Sequence, residues 1–373
     1  MMQVTILSNS KGGVFAVTMQ WAKGLIRKGC DVNIFFLLHS RETKNLTPSK
    51  HMHFNYFTGP FFIPNLRTFI AFLVYDHPNI VHTNFAWLGP LAIFKKWIFK
   101  THFIYTIHGL PQPWLESSLL YKIAYTIEHS LLHFVASQSS VVVAVSYYVK
   151  EMLKKQYSIE SEVIYHGIDA DRFRPMHKAG NKRMLQYEEN DFLVLFVGKM
   201  HPAKDPLTLV RSIHEVIKEN KNVHLAMIGD GELYQEVRDE VLKLDLSGNV
   251  KLLGQMNHVK LQLWYNAAEL FVLTSISESF GMTLLEAMAS GLPIIASNST
   301  ACPEVVGNAG LLFTQGDYND LARKIVRLVS DDNLLRILRD RSLKRVRRVF
   351  SWNDKIDKYY ELYRKTIGEA IHG

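Results

Sequence analysis

The stretch TSISESFGMTLLEAMASGLPIIAS (residues 274–297) holds two glutamates in a context that could do chemistry. It reads as strand, loop, helix and strand, with Gly291 stopping the helix and Pro293 just beyond it. Glu278 falls in the loop and Glu286 about one turn inside the helix, so both point toward whatever occupies the helix N-terminus. The amides of Gly281, Met282, Thr283 and Leu284 are expected to be free there and to favour an anion such as a diphosphate. A carboxylate beside that anion must take hydroxyls instead, which points to ribose and sugar. Either glutamate taken alone also fits a solvated helix charge.

A second candidate is SNSKGGVFAVT (residues 8–18), two glycines after a lysine on the way from a strand into a helix. A nucleotide-hydrolysing phosphate loop needs Lys followed by Ser or Thr, and Ala16 and Val17 stand at that place, with Lys11 too early. Gly12-Gly13 also lacks the third glycine of a dinucleotide fingerprint. What survives is a glycine loop whose amides meet an anion at a helix N-terminus, or a tight turn with no ligand.

The elements that must position these residues alternate along the chain. VTIL, DVNIFFLL, NIVHT, HFIYTI, SVVVAVS and EVIYHG read as strands separated by helical stretches, up to a polar, charged segment at 169–191 that reads as a linker. The alternation then restarts with FLVLFVG, VHLAMIG, VKLLG, LFVLTS and LPIIAS. Alternating strands and helices imply an α/β class with parallel sheets covered on both faces. Two Rossmann-type domains are expected, residues 1–170 and 171–351, with a final helix at about 352–373 returning to the first. Their ligands are expected beyond the carboxyl ends of the strands, in a cleft the two sheets face.

Of the 373 residues, 47% are apolar and 21% charged, the balance of a globular enzyme. No apolar run is long enough to span a bilayer, and the opening MMQVTIL has no secretory signature. The two cysteines, Cys30 and Cys302, fit a reducing cytoplasm. The net charge of +8 is uneven, with an excess of seven in residues 1–175 and of one in the remainder. The same half carries the aromatic-rich stretches 54–75 and 87–103 with Arg67, Lys95, Lys96 and Lys100. That mixture suits the surface of an anionic membrane, and core helices with snorkelling lysines fit the same letters. Nucleic acid is not an expected partner, because acidic residues are interspersed and no binding motif accompanies the charge.

The chain resembles the retaining glycosyltransferases of family four, which have the two-domain GT-B fold. Glu278 and Glu286 are separated by seven residues, as in that family's paired-glutamate motif. SNSKGGV resembles its N-terminal glycine loop, IYTIHG its active-site histidine segment and VIYHGIDADRF its crossover. LFVGKMHPAKDPLTLV resembles its basic phosphate motif, and IGDGE and LLGQM its nucleotide-side loops. The resemblance implies that Lys199 and Lys204 hold the diphosphate of a nucleotide sugar, UDP- or GDP-linked, and that Glu286 takes the ribose hydroxyls. It implies that Glu278 and the Phe280–Thr283 segment hold the sugar, with His108 near the reacting centre. Gly12, Gly13, Gly254, Gly281, Met282, Thr283 and Leu284 would line the donor. The reaction implied is transfer with retention to a glycan or lipid-linked acceptor, as in cell-envelope polysaccharide or glycolipid synthesis, without metal or other cofactor.

Two departures stand out. Lys199 replaces the usual arginine and offers a point charge in place of a bidentate fork. His166 replaces the usual asparagine before Gly167. Three other features mimic sites. The DAD at 169–171 resembles a metal-binding Asp-x-Asp without its hairpin context. His129 and His133 share a helix face without a zincin's glutamate, so packing is expected. The basic run 336–350 reads as a solvated helix face. The rival readings on this fold are a sugar-nucleotide epimerase, a phosphorylase, and a silent sugar-nucleotide-binding or scaffold protein.

Overall fold

Strands as apolar as FLVLFV and LFVL can be stable only with both faces covered. The computed structural model describes all residues but 11, 38–42, 44–45, 58–67, 69, 111, 113–114, 116–117, 171 and 372–373. Its contacts divide the chain into two units, residues 1–167 with 352–373, and residues 168–351. Each is built on one parallel sheet.

In the first unit the strands are β1 (Gln3–Ser8), β2 (Asp31–Phe36), β3 (Met52–Tyr56), β4 (Ile80–Thr83), β5 (His102–Ile107), β6 (Val141–Ala144) and β7 (Glu162–Val163). Their order is β3-β2-β1-β4-β5-β6-β7, and every pairing is parallel. The chain reverses direction across the sheet between β1 and β4, the switch point at which such sheets bind ligands. The helix Gly12–Arg27 buries Trp21, Ala22 and Leu25 against the sheet. The C-terminal helix Trp352–Ile371 then packs on that helix so closely that a Cβ on Gly24 would lie 2.4 Å from Ile356 Cδ1. Its Tyr363 hydroxyl meets His82 Nδ1 at 2.7 Å, and Thr106 Oγ1 meets His82 Nε2 at 2.7 Å. Both nitrogens of a fully buried histidine are thereby satisfied.

The aromatic-rich stretches, which fit either a basic membrane-facing surface or core helices with snorkelling lysines, divide between the two. Residues 54–56 belong to edge strand β3, while Arg67 lies outside the described residues. Lys95 is fully buried, its ammonium against the Asp76 carbonyl and 3.9 Å from the Asp76 carboxylate. Lys96 donates to the Gln138 carbonyl at 2.7 Å. Lys100 alone of the four is described as exposed. The apolar face that remains outward lies on the helices Gly89–Phe99 and Leu119–Gln138, with Trp97 66%, Ile98 53%, Leu119 72% and Leu120 78% exposed.

The second unit contains β8 (Phe192–Val197), β9 (Val223–Ile228), β10 (Val250–Leu252), β11 (Leu270–Leu273), β12 (Ile294–Ser297) and β13 (Gly310–Phe313). The order β10-β9-β8-β11-β12-β13 is the doubly wound arrangement, again wholly parallel. Its switch point falls between β8 and β11. The segment 169–191 is no free linker. It contains the helix Lys178–Met184, and Lys182 donates to the Glu189 carbonyl and pairs with Glu269 at 2.8 Å. Tyr187, 5% exposed, packs edge-on against Trp264. Those buried contacts make the segment part of the second unit's core.

Candidate functional site

Two loops leave the carboxyl ends of the adjacent strands β8 and β11, at the second unit's switch point. The first runs from Gly198 through the short 3-10 turn Pro202–Lys204 to Asp205, whose carboxylate accepts from the Thr208 amide and caps the helix Pro206–Glu219. The second runs from Thr274 to Gly281. Two hydrogen bonds to main-chain carbonyls bring them together, the Ile276 amide donating to Ala203 at 3.0 Å and Thr274 Oγ1 to Lys204 at 2.7 Å. From the other side, Thr300 Oγ1 accepts from the Glu278 amide at 3.0 Å and Ser299 Oγ donates to the Ile276 carbonyl at 2.8 Å.

This bracing sets Lys204 and Glu278 face to face. Lys204 Nζ donates to Glu278 Oε2 in an ion pair, and Ser275 Oγ lies 3.5 Å from the same oxygen. The pair is partly buried, Lys204 keeping 24% of its side chain accessible and Glu278 14%. A charge pair so withdrawn from water interacts more strongly than one in bulk solvent.

Beyond it begins the helix Met282–Ala289, with Gly281 at its N-cap. Gly281 has φ +91°, where a side chain would be strained, and a Cβ there would lie 2.9 Å from Leu284 Cδ1. No side chain caps this helix. The expected set of four free amides is corrected in one member, because the Leu284 amide donates to the Gly281 carbonyl at 3.0 Å. Leu284 and Phe280 also turn their side chains inward, Phe280 making an edge contact with Phe350 at 5.8 Å, so only their backbone can face a ligand.

Glu286 retains some accessible surface, yet its carboxyl is closely ringed by protein. Tyr265 Oη donates to its Oε2 at 2.9 Å. Burial raises its pKa to about 7, against the opposing pull of that hydrogen bond and of the Arg172 charge. Tyr265 is a residue that sequence reasoning missed. It sits 21 positions earlier on the helix His258–Ala267, and nothing in its neighbourhood there marks it.

Lys199 is exposed and lines a cavity of about 680 Å³ with Gly198, Gly229, Asp230, Gly231 and Gln255 among others, at the carboxyl ends of β8 and β9. The loop after β9 comes so close that a Cβ on Gly229, at φ +146°, would fall 1.8 Å from the Gly198 carbonyl oxygen. The Gly229 amide donates to the Gly254 carbonyl at 2.9 Å, which ties the IGDGE and LLGQM loops together.

The other expected residues belong to the first unit. His108 directly follows β5, and His166 follows β7. His108 Nδ1 lies 3.2 Å from His166 Nε2, with the ring planes 11° apart. Burial lowers His108 to about 4 and His166 well below the usual histidine range, the charge of His108 adding to the effect on His166. Gly12 and Gly13 open the helix Gly12–Arg27, exposed and with open space around both, while Lys11 lies outside the described residues. Of the mimics, Asp171 lies outside the described residues, and His129 and His133 pack against Tyr157 with ring centroids 4.7 and 6.2 Å away.

A wholly parallel, doubly wound sheet with the Lys204–Glu278 pair at its switch point is an α/β unit of the Rossmann type. The sequence matches Glycosyltransferase Family 4 over residues 11–172 and Glycosyl transferases group 1 over residues 179–345. The chain belongs to this family of glycosyltransferases, and its fold is GT-B. Among its relatives, the UDP-Gal:alpha-D-GlcNAc-diphosphoundecaprenol alpha-1,3-galactosyltransferase of Escherichia coli is 27% identical over 76% of this chain and 75% of its own. Sucrose-phosphate synthase from Thermosynechococcus elongatus superposes with a TM-score of 0.83 at 22% identity, over 99% of this chain and 100% of its own. HepE of Anabaena, solved with UDP and glucose, superposes with a TM-score of 0.80 at 19% identity, over 97% and 99%.

The raised pKa of Glu286 carries a sign that can be measured. The folded protein keeps a proton there that the unfolded chain releases above about 4.5, so the group's contribution is full at lower pH and lost as pH rises to about 7. The melting temperature of the ligand-free protein should carry a downward component over that window, and Glu286→Gln should remove it. An identical pH slope in the variant would show that Glu286 titrates normally.

Proposed function

We propose that the chain is a retaining, metal-independent glycosyltransferase that moves a sugar from a UDP- or GDP-linked donor to a hydroxyl of a glycan or lipid-linked acceptor. The observation that carries this reading is the Lys204–Glu278 pair beside the uncapped start of the helix Met282–Ala289. In the ligand-free protein Glu278 neutralises Lys204. An arriving diphosphate competes for the ammonium, and its release frees Glu278 to accept the hydroxyls of the sugar. Lys204, Lys199 and the backbone amides at the helix start then stabilise negative charge growing on the leaving diphosphate. The nucleoside lies along the cavity lined by Lys199, Gly229 and Gln255, its ribose hydroxyls donating to Glu286. His108 contributes its Nε2, a buried nitrogen without a hydrogen-bond partner among the described residues.

The family resemblance and the arrangement of the charges support retention. With cations holding the diphosphate, one of its oxygens can take the acceptor's proton on the face the leaving group vacates, so no carboxylate need be the nucleophile. The HepE complex with UDP supports a uridine donor. The named acceptor of the Escherichia coli relative, a sugar on diphosphoundecaprenol, supports a lipid-linked acceptor and a role in envelope glycan synthesis. The outward apolar face of Trp97, Ile98, Leu119 and Leu120, with Lys100 and Lys122 also exposed, suits peripheral contact with an anionic membrane. No described helix is long and apolar enough to cross a membrane.

The test is transfer from UDP-galactose, UDP-glucose or a GDP-sugar to a polyprenyl-diphosphate-linked N-acetylglucosamine in EDTA, with the product anomer read by NMR. An α-linked product from an α-linked donor is expected, and Lys204→Met should lower kcat on the order of a hundredfold. An inverted product, or activity that appears only on adding Mn²⁺, would overturn the mechanism. Vesicles containing phosphatidylglycerol should sediment the protein at low salt and less at high salt, with Trp97→Ser/Leu120→Ser weakened. Failure to sediment at low salt would favour a soluble acceptor.

A further inference from the structure

The residue at 166 departs from the family's usual asparagine, and the structure gives the departure a consequence. His108 and His166 lie in the same unit, each just beyond the carboxyl end of a strand. Their rings are nearly parallel at 11°, with centroids 5.0 Å apart, while His108 Nδ1 and His166 Nε2 approach to 3.2 Å. The two nitrogens stand at hydrogen-bond distance, so the nearly parallel rings are linked by an imidazole–imidazole hydrogen bond. One proton must lie between the two nitrogens, since two lone pairs would repel and two N–H groups would collide.

That proton decides what His108 offers at its other nitrogen. Burial disfavours the charged form of both rings, so each is neutral and carries one N–H. If His166 donates, His108 carries its hydrogen on Nε2 and presents a donor. If His108 donates, its Nε2 presents a lone pair. This Nε2 is buried and finds no protein partner among the described residues, so its character is not fixed from its own side. The neighbouring titratable group, His82 on β4, is occupied by Tyr363 and Thr106 and does not compete for it.

We propose that His166 is a positioning residue that holds His108 in one orientation and one neutral tautomer, so that His108 Nε2 meets the donor with a single hydrogen-bonding character. The proposal rests on the reading that His108 belongs to the donor site. Asparagine at 166 can serve the same end, because its amide both donates and accepts. Alanine or leucine cannot.

Imidazole ¹⁵N NMR of the 373-residue protein without donor reads the tautomer directly. Wild type should show one protonated and one unprotonated nitrogen on His108, with a scalar coupling across the hydrogen bond to His166 Nε2. His166→Ala should show averaged shifts at the two His108 nitrogens, and His166→Asn should restore the single tautomer. In the transfer assay with UDP-glucose, His166→Ala should lower kcat by roughly tenfold or more with donor KM little changed, the scale of loss when the group orienting a histidine is removed. His166→Asn should recover most of it. Unchanged His108 shifts in His166→Ala would overturn the proposal. Absence of the coupling in wild type would do so even if that variant does not fold. Absence of transfer by the wild type would count against the functional reading, while the donor-free NMR would still decide the role of His166.

Discussion

The ion pair between Lys204 and Glu278 is the interaction on which the site depends. It joins the turn after β8 to the loop after β11, two segments 74 residues apart in sequence that meet because their strands are neighbours. A lysine and a glutamate left in water at this separation gain little. Here the Ile276 amide and the Thr274 hydroxyl, donating to the Ala203 and Lys204 carbonyls, hold the two loops together before any ligand arrives. The cost of ordering two long side chains is thus met by folding, and the ammonium is fixed at the carboxyl end of the sheet.

The sheets make that precision possible. Fully parallel strands, buried on both faces, leave their carboxyl ends as the place where loops emerge together. In the second unit, Gly229 and Gly281 let backbone approach backbone or turn through positive φ where a side chain would not fit. In the first, the C-terminal helix closes over the helix Gly12–Arg27 and supplies Tyr363 to a buried His82, so that helix completes the core of its unit. Truncating that helix would expose His82, Trp21 and the face of the central strands packed beneath it.

Much of this was legible in the sequence, for a physical reason. A strand followed by a glycine-rich or acidic loop and an amphipathic helix is a local pattern, and the Glu278, Glu286, Lys199 and Lys204 segments each carry it. What could not be read locally depends on contacts between distant segments. The short strands β3 and β13 are partly exposed and lack the long apolar run that marks their neighbours. Lys95 looks like a surface charge in its helix and is buried because Asp76, 19 residues earlier, sits under it. The Leu284 amide reads as free from its place in the first turn, and it bonds the Gly281 carbonyl because the helix begins with a tight turn. Tyr265 and the His108–His166 bond are likewise products of packing alone.

The central claim is that the carboxyl edge of the second sheet holds a nucleoside diphosphate sugar through its lysines without a metal. Titration calorimetry of UDP, GDP and UDP-glucose into the wild type and Lys204→Met, both in EDTA, tests it most directly. The account predicts saturable binding of one nucleotide series to the wild type and an affinity at least tenfold lower in the variant, a loss of about 1.4 kcal/mol. Equal affinity in the two proteins, or binding that appears only when a divalent metal is restored, would contradict it.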